Sequence, residues 1–231
     1  MKTILIANPK GGSGKTTIAT NLTGHFAGRG ERVLLDDMDR QLSATDWLAR
    51  RPEVLPTIHG WSSRSDSKEL DESSLDWAVV DSPAGLHGEK LTNALKRAER
   101  VIVPVSPSAF DMAATSRFLD DLRAEKAVRK AKIEVALIGM RVDARTLATA
   151  ALRRFLDNAG FPLLAMLSDT QIYVHAANEG LSLFDIAPSR ASGKLDQWQP
   201  YKCRFENSRF IKSRAARELE QWQPVLDWLD Q

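Results

Sequence analysis

The sequence predicts an α/β fold, built on a mostly parallel sheet with helices on both faces. Short apolar runs alternate with segments of helical periodicity along most of the 231 residues. Several of these runs are apolar throughout, which is typical of strands buried on both faces of a parallel sheet. Carboxylates follow several of the runs, and in such sheets the carboxyl ends of the strands form the ligand-binding edge.

The elements are expected in a regular order along the chain. The predicted strands are Thr3 to Ala7, Arg32 to Leu35, Trp77 to Asp81, Val101 to Val105, Ile133 to Met140 and Leu163 to Leu167, with Pro56 to Trp61 as a short edge strand. The predicted helices are Thr16 to Arg29, Ser43 to Arg50, Glu89 to Ala98, Asp111 to Lys126 and Arg145 to Asn158. Ser43 is a suitable N-cap, and Gly28 and Gly160 stand where helices should stop.

Composition places the chain among ordinary globular proteins. Hydrophobic residues make up 43% and charged residues 27% of the sequence, and the length fits one α/β domain, 1–231, that ends in a helical tail from about 189 to 231. The net charge of +2 does not by itself indicate a nucleic-acid partner. The single cysteine, Cys203, excludes a disulfide framework and any cluster held by several cysteines of one chain.

The same features predict a cytoplasmic protein. Met1 and Lys2 lead directly into the first strand, so we expect no signal peptide. No apolar run approaches the ~20 residues that span a bilayer. A lone cysteine also fits a reducing compartment.

The segment from Lys10 to Thr17 reads K-G-G-S-G-K-T-T and lies between a strand and a helix. In this arrangement backbone N–H groups and a helix N-terminus converge on phosphate. The segment departs from the usual G-x-x-x-x-G-K-[ST] phosphate loop only at Pro9, which stands at the first glycine. Lys15 should bind the outer phosphates and Thr16 should ligate Mg²⁺. The residues expected at the nucleotide are Lys10, Gly11, Gly12, Ser13, Gly14, Lys15, Thr16 and Thr17.

Carboxylates at the ends of two strands are candidates for the same site. Asp81 ends an apolar strand, which is the place of an acid that organises Mg²⁺ in this architecture. Asp37 and Asp39 follow the second strand, where a carboxylate can orient the water that attacks the γ-phosphate. Asp36 and Asp37 are neighbours on an extended chain, so only one of them should face the nucleotide.

Taken together, these motifs resemble the ParA/MinD family of deviant Walker A ATPases, and among them the ParA-type partition and cargo-positioning members. The resemblance covers Met1 to about Ala191. Besides the loop, it rests on L-L-D-D-M-D-R-Q at Leu34 to Gln41, V-V-D-S-P-A at Val79 to Ala84, V-I-V-P-V-S-P at Val101 to Pro107 and the segment Asn178 to Asp185.

The resemblance implies roles for individual residues. Lys10 is expected to reach across an ATP-bound homodimer to the partner's phosphates, and Lys10, Lys15 and Asp37 to serve catalysis. Thr16, Asp37 and Asp81 are expected around Mg²⁺. The implied activity is a slow ATP hydrolysis that DNA and a ParB-like adaptor protein stimulate.

Three positions depart from the family pattern. Arg40 replaces the usual proline of the D-x-D-P-Q motif, and Asp36 replaces the usual apolar residue. Arg141 stands where many relatives carry an asparagine near the base, and we include it among the nucleotide contacts. The departures concern the local backbone and the adenine contacts rather than the phosphate site.

The tail contains a duplication. Ser189 to Pro200 and Ser213 to Pro224 are identical at about two thirds of their positions, and both end in Gln-Trp-Gln-Pro. We interpret them as copies of an amphipathic helix, in which Trp198 corresponds to Trp222. A duplication tolerated near a terminus is the simpler explanation, without a specific function.

Basic residues in the tail suggest a partner. The resemblance implies that the ATP-bound dimer holds nucleoid DNA without sequence preference, through phosphate contacts. The residues expected to do so are Lys202, Arg204, Arg209, Lys212, Arg214 and Arg217. The final helix carries acids such as Glu220 and Asp227 beside its apolar residues, which disfavours a membrane contact.

Other classes of protein also contain a phosphate loop. An iron–sulfur reductase needs two cysteines per chain, and a tyrosine autokinase needs a tyrosine-rich tail, whereas this chain has one cysteine and two tyrosines. A metabolic enzyme of the synthetase type stays open, although the lysine at position 10 argues against it. A MinD-like spatial regulator of division stays open as well.

Overall fold

The structure, a computed structural model, describes residues 1–62, 72–186 and 209–231, and for 209–212 it describes the backbone alone. The strands are β1 (Lys2–Ile6), β2 (Val33–Asp37), β3 (His59–Ser62), β4 (Trp77–Asp81), β5 (Arg100–Val105), β6 (Glu134–Val142) and β7 (Leu163–Ser168). The helices are α1 (Lys15–Gly28), α2 (Ser43–Ala49), α3 (Gly88–Leu95), α4 (Ala109–Ala124), α5 (Lys126–Arg129), α6 (Leu147–Asp157), α7 (Gln171–Asn178), α8 (Leu183–Ile186) and α9 (Arg209–Leu229), and a 3₁₀ turn spans Glu72–Ser74.

The strands form one sheet in the order β3-β2-β4-β1-β5-β6-β7. Each neighbouring pair in the described ranges is parallel. The predicted α/β class is therefore confirmed, and the expected edge strand near Trp61 is β3. The register pairs Asp81 at the end of β4 with Ile6 at the end of β1 and with Asp37 at the end of β2.

Helices cover the two faces of this sheet. Successive side chains of β1 point to opposite faces, so Ile4 and Ile6 lie in one core with α1, α2 and α9, while Leu5 lies in a second core with α3, α4 and α6. The helices α1 and α3 follow the adjacent strands β1 and β4 but lie on opposite faces. A crevice therefore opens between the carboxyl ends of these two strands, where ligands of such sheets bind.

Some helix starts differ from the sequence prediction, and the difference goes in both directions. Ser43 is the first residue of α2 and not its N-cap, because Leu42 takes that position in a left-handed conformation with φ 54° and no side chain of the cap bonds the helix. The helices α4 and α6 begin a few residues away from the predicted bounds, after Ser108 and Thr146. Both of these side chains accept a bond from the first turn, which fixes where each helix begins.

The helix α9 packs against the domain. Trp222, Val225 and Leu229 are fully buried in the core that also contains α1. Gln221 bonds Ser168 at the end of β7, and the other end of the helix reaches Arg29 through Asp230. This helix contains the second copy of the tail repeat, whereas the first copy, 189–200, lies outside the described residues. No helix in the described ranges combines the length and the apolarity needed to cross a membrane.

Candidate functional site

The loop between β1 and α1 has a backbone that requires glycine. Gly12 and Gly14 have φ angles of 73° and 99°, in the region that residues with a Cβ rarely adopt. At Gly14 a Cβ would also lie 2.6 Å from the Met140 side chain at the end of β6. The strand β6 therefore supports the loop from one side, and a larger residue at position 14 would require the Met140 side chain to move.

Hydrogen bonds hold the base of the loop. The Asn8 amide donates to the Pro104 carbonyl at 2.8 Å and to the Thr115 hydroxyl at 3.0 Å, and its oxygen accepts from the Lys10 N–H at 2.8 Å. The Pro9 carbonyl accepts from the Gly85 N–H at 2.8 Å. Pro9 itself is thus compatible with the loop, because a glycine φ is not required at that position.

The two lysines of the loop have different surroundings. Lys15 is 7% exposed, and its ammonium donates to the Lys10 carbonyl at 3.0 Å. Burial lowers the pKa of Lys15, and the charges of Asp81 and Asp39 oppose this shift. Lys10 is half-buried, and its ammonium has no hydrogen bond or ion pair within the described part of the chain.

Thr16 and Asp81 meet in the crevice between β1 and β4. The Thr16 hydroxyl donates to Asp81 Oδ2 at 2.7 Å, and Asp81 is 1% exposed. Burial raises the pKa of Asp81 to about 7, with a further contribution from the Asp37 charge, while the Thr16 bond and Lys15 act in the opposite direction. Asp81 Oδ1 is buried and has no partner among the described residues. A hydroxyl beside an unsatisfied carboxylate oxygen fits the oxygen ligands that Mg²⁺ prefers.

Asp37 lies on the same edge, one strand away. It is 1% exposed, and its carboxylate accepts bonds from Thr45 and from the Asp39 N–H. Asp36 points to the other face of the sheet, where burial raises its pKa and the nearby Arg97 opposes that shift. The alternation expected for these two neighbours is thus what the strand shows.

The remaining nucleotide candidates lie around the loop. Gly11 and Gly12 are exposed, Thr17 is half-buried, and Ser13 is buried with a hydroxyl that has no partner among the described residues. Arg141 has an exposed side chain and a left-handed backbone with φ 51°, next to the Met140 that packs on Gly14. The chain therefore places Arg141 beside the loop, and its contact with a base stays a prediction.

Of the six tail residues expected to bind DNA, the structure describes the side chains of two. Lys202 and Arg204 lie outside the described residues, and Arg209 and Lys212 lie in α9, where the structure describes only their backbone. Arg214 is half-buried and Arg217 is exposed on the first half of the same helix. Because Gln221 bonds Ser168 at the carboxyl end of β7, this half of α9 lies toward the edge that carries the loop.

Sequence reasoning missed three supporting residues. Asn8 anchors the loop, Met140 fills the space above Gly14, and Thr45 holds Asp37. The sequence signal for Asn8 is a polar residue that follows the apolar run of β1 and directly precedes Pro9. The other two act across long gaps in sequence or through a helix cap, and neither leaves a local pattern.

Comparisons with known proteins agree with this geometry. A family model described as CbiA, the CobQ/CobB/MinD/ParA nucleotide binding domain, matches residues 4–183. The chain is 28% identical over 192 residues to maintenance of carboxysome distribution protein A of Halothiobacillus neapolitanus, over 80% of this chain and 87% of that protein. The protein of the same name from Gloeobacter kilaueensis is 30% identical over 186 residues, over 79% of this chain and 83% of the relative.

A solved structure shows the same fold. The complex of a Cyanothece McdA variant with ATP matches with a TM-score of 0.62 and 19% sequence identity, over 89% of this chain and 95% of that chain. The family match spans the glycine loop, the acidic ends of β2 and β4 and the strand β6 that supports the loop. The chain therefore belongs to the CobQ/CobB/MinD/ParA nucleotide-binding family, whose ParA- and MinD-type members are ATPases.

Proposed function

We propose that this chain is an ATP-driven switch that positions a cargo on DNA. ATP and Mg²⁺ bind at the glycine loop, two copies then associate, and the dimer holds nucleoid DNA without sequence preference. Hydrolysis is slow, is stimulated by DNA and by a ParB-like adaptor, and returns the protein to the monomer. Because only the nucleotide-bound state associates, the nucleotide sets the fraction of dimer.

The different surroundings of the two loop lysines carry this proposal. Lys15 is turned inward, and its ammonium is bonded to the Lys10 carbonyl. Lys10 keeps its ammonium unpaired within the described residues, so its charge is available to a second cluster of phosphates. A nucleotide bound to a partner copy supplies such a cluster, and the attraction of Lys10 for it makes association depend on ATP.

The contacts of the crevice support Mg²⁺ as the cofactor. Thr16 and the unsatisfied oxygen of Asp81 are the groups that would hold the ion or its water shell, with Asp37 beside them. The bound ion would neutralise charge on the phosphates. Lys15 would bind the outer phosphates, and Asp37 would orient the attacking water.

Exposed apolar residues support association at this edge. Phe110 and Leu147 are 82% and 89% exposed, more than any other large apolar side chain among the described residues. They lie in the first turns of α4 and α6, the helices that follow β5 and β6. Both side chains therefore lie on the same edge as the loop, where a second copy would cover them.

The direction of α9 supports a role for the tail in DNA binding. Its first half, with Arg214 and the exposed Arg217, lies toward the loop edge, so a dimer formed at this edge would bring two such helices together. A second basic stretch, from Arg123 to Lys132, begins in the last turn of α4, includes α5 and ends before β6. It lies at the opposite edge of the sheet and is not part of this proposal.

The relatives favour one class of cargo. Two of them are named for the maintenance of carboxysome distribution, and we propose a protein compartment as the cargo of this chain. A plasmid or a chromosome region is the second candidate within the same switch. An adaptor bound to the cargo would supply the stimulation of hydrolysis.

Two other functions share the fold and predict different behaviour. A metabolic enzyme of the synthetase type would turn over ATP with a small-molecule substrate and without a response to DNA. A MinD-like regulator of division would bind lipid vesicles in the presence of ATP, which the acids of the final helix disfavour.

Size-exclusion chromatography and DNA retention, each with ADP and with ATP, test the switch. We expect a monomer without retention in ADP, and a dimer that retains DNA in ATP. A protein that neither dimerises nor retains DNA in ATP would contradict the proposal. The variant Arg217→Ala should weaken retention and lower the slope of log affinity against log salt by about one, whereas Arg129→Ala, an exposed arginine at the opposite edge, should leave both unchanged.

A further inference from the structure

The carboxylate of Asp37 is held from one side. Its Oδ2 accepts from the Thr45 backbone N–H at 2.8 Å and from the Thr45 hydroxyl at 3.1 Å. Its Oδ1 accepts one bond, from the Asp39 N–H at 3.1 Å. Each carboxylate oxygen has about two acceptor sites, so the bonds within the described residues fill Oδ2 and leave one site on Oδ1.

The helix α2 depends on this carboxylate for its cap. The first N–H groups of a helix need acceptors from outside it, and the side chain of the N-cap residue, Leu42, supplies none. Asp37 takes this role from the end of β2, and its charge also lies favourably at the N-terminus of the helix. The cap therefore ties the direction of the carboxylate to the position of α2.

The opposite end of α2 is fixed as well. The Trp47 indole N–H donates to the Leu181 carbonyl at 3.1 Å. Arg51, just beyond the helix, makes two bonds to Asp185 at 2.9 Å and 3.0 Å, and these two side chains are only 5% and 3% exposed. Thr45 therefore belongs to a helix whose far end is fixed to the rest of the protein.

We propose that Thr45 is a positioning residue for hydrolysis. Its N–H and its hydroxyl occupy both acceptor sites of Asp37 Oδ2, and this leaves the remaining site of Oδ1 to orient the attacking water. Thr45 acts through Asp37 and not on the nucleotide. The inference rests on the role of Asp37 in the proposed function.

Substitutions of Thr45 test this role. Thr45→Val keeps the shape and the backbone N–H but removes the hydroxyl. We expect it to lower kcat roughly ten- to a hundredfold, because small misplacements of a reacting group have effects of this size. KM for ATP and Kd for a non-hydrolysable analogue should change less than about twofold. Thr45→Ser, which restores the hydroxyl, should recover most of the activity.

A matched control separates positioning from stability. The Thr23 hydroxyl, like that of Thr45, donates one hydrogen bond within the protein, to the Ala19 carbonyl at 2.7 Å, although Thr23 is fully buried and Thr45 is half-buried. Thr23→Val removes a hydroxyl of the same kind away from Asp37, so it should lower Tm by a comparable amount and leave kcat unchanged. A loss of kcat that follows Tm in both variants would overturn the proposal.

Two further measurements use Asp37 itself. In an Asp37→Ala background, Thr45→Val should cause no additional loss of kcat, because its effect passes through the missing carboxylate. Amide hydrogen exchange at Thr45 should be fast in Asp37→Ala and remain protected in Thr45→Val. Additive losses of kcat, or a protected Thr45 amide without Asp37, would overturn the proposal. Wild-type hydrolysis by Lys15→Ala would instead contradict the proposed function, so the two failures are distinguishable.

Discussion

Thr16 and Asp81 are 65 positions apart in sequence, yet the Thr16 hydroxyl donates a 2.7 Å hydrogen bond to Asp81 Oδ2. The contact joins the first turn of α1 to the end of β4 across the crevice between β1 and β4. It satisfies one oxygen of the carboxylate and leaves Oδ1 buried without a partner among the described residues. A buried carboxylate in this state is destabilising for the fold unless a cation compensates it.

Asp81→Asn should therefore stabilise the metal-free protein and weaken Mg²⁺-dependent nucleotide binding. Burial raises the pKa of Asp81 to about 7. Between about pH 4 and pH 7 the folded state keeps a proton that the unfolded state has lost, so this carboxyl lowers the free energy of unfolding as pH rises. We expect the variant to remove this contribution and to gain on the order of 2 to 4 kcal/mol above pH 7.

Thermal unfolding in EDTA across this pH range measures the gain, and titration with ATP in the presence of Mg²⁺ measures the loss of binding. Asp76→Asn is a suitable control, because that aspartate is exposed and far from the loop. If the Asp81→Asn variant bound ATP and Mg²⁺ as tightly as the wild type, Asp81 would not be part of the metal site.

The two loop lysines should give different defects. Lys15→Ala is expected to abolish ATP binding and hydrolysis, since it removes the cation buried beneath the loop. Lys10→Ala is expected to keep ATP binding by the monomer and to lose the ATP-dependent dimer. Equilibrium binding of a fluorescent ATP analogue and size-exclusion chromatography separate these outcomes. A Lys10→Ala protein that still dimerises with ATP would show that Lys10 does not reach a partner.

The sequence predicted the sheet and the loop because both have local patterns. Apolar runs mark the strands, and the register of β1, β2 and β4 follows from parallel pairing, so Asp37 and Asp81 could be assigned to one edge in advance. The glycines at 12 and 14 were predictable for a related reason, because their positive φ angles exclude other residues. These features depend on a few neighbouring positions.

The supporting contacts could not be predicted in this way. Thr45 bonds Asp37 only because Leu42 turns the chain at the start of α2, a conformation that no residue preference indicates. Met140 meets Gly14 across a separation of more than half the chain. Arg51 and Asp185 pair because packing buries both, which the sequence does not reveal. Such contacts depend on the folded geometry rather than on local composition.

Removing one partner of the buried ion pair between Arg51 and Asp185 should strongly lower the free energy of unfolding. Both side chains are nearly inaccessible, at 5% and 3% exposure. Asp185→Ala would leave a buried guanidinium without its partner, and we expect a loss of about 3 to 5 kcal/mol in the free energy of unfolding. The exposed pair of Arg145 and Asp143 is the control, since solvent screens this pair and Asp143→Ala should cost far less. Urea unfolding measures both variants, and similar losses would contradict the prediction.

The last prediction concerns the duplicated tail. Trp222 is fully buried, and its indole N–H donates to the Tyr173 hydroxyl at 3.0 Å. Trp222→Ala should lower the free energy of unfolding by about 3 to 5 kcal/mol. Trp222→Phe keeps most of the volume and loses the hydrogen bond, so it should cost about 1 kcal/mol plus a smaller packing loss.

Trp198 holds the matching position in the first copy of the repeat and provides the comparison. If that copy is a duplication without a structural role, Trp198→Ala should change the free energy of unfolding by less than about 0.5 kcal/mol. Urea unfolding of the two variants side by side decides the question. A loss as large as that of Trp222→Ala would contradict this prediction. Truncating a side chain lowers the free energy of unfolding by several kcal/mol only if that side chain is buried in the folded state.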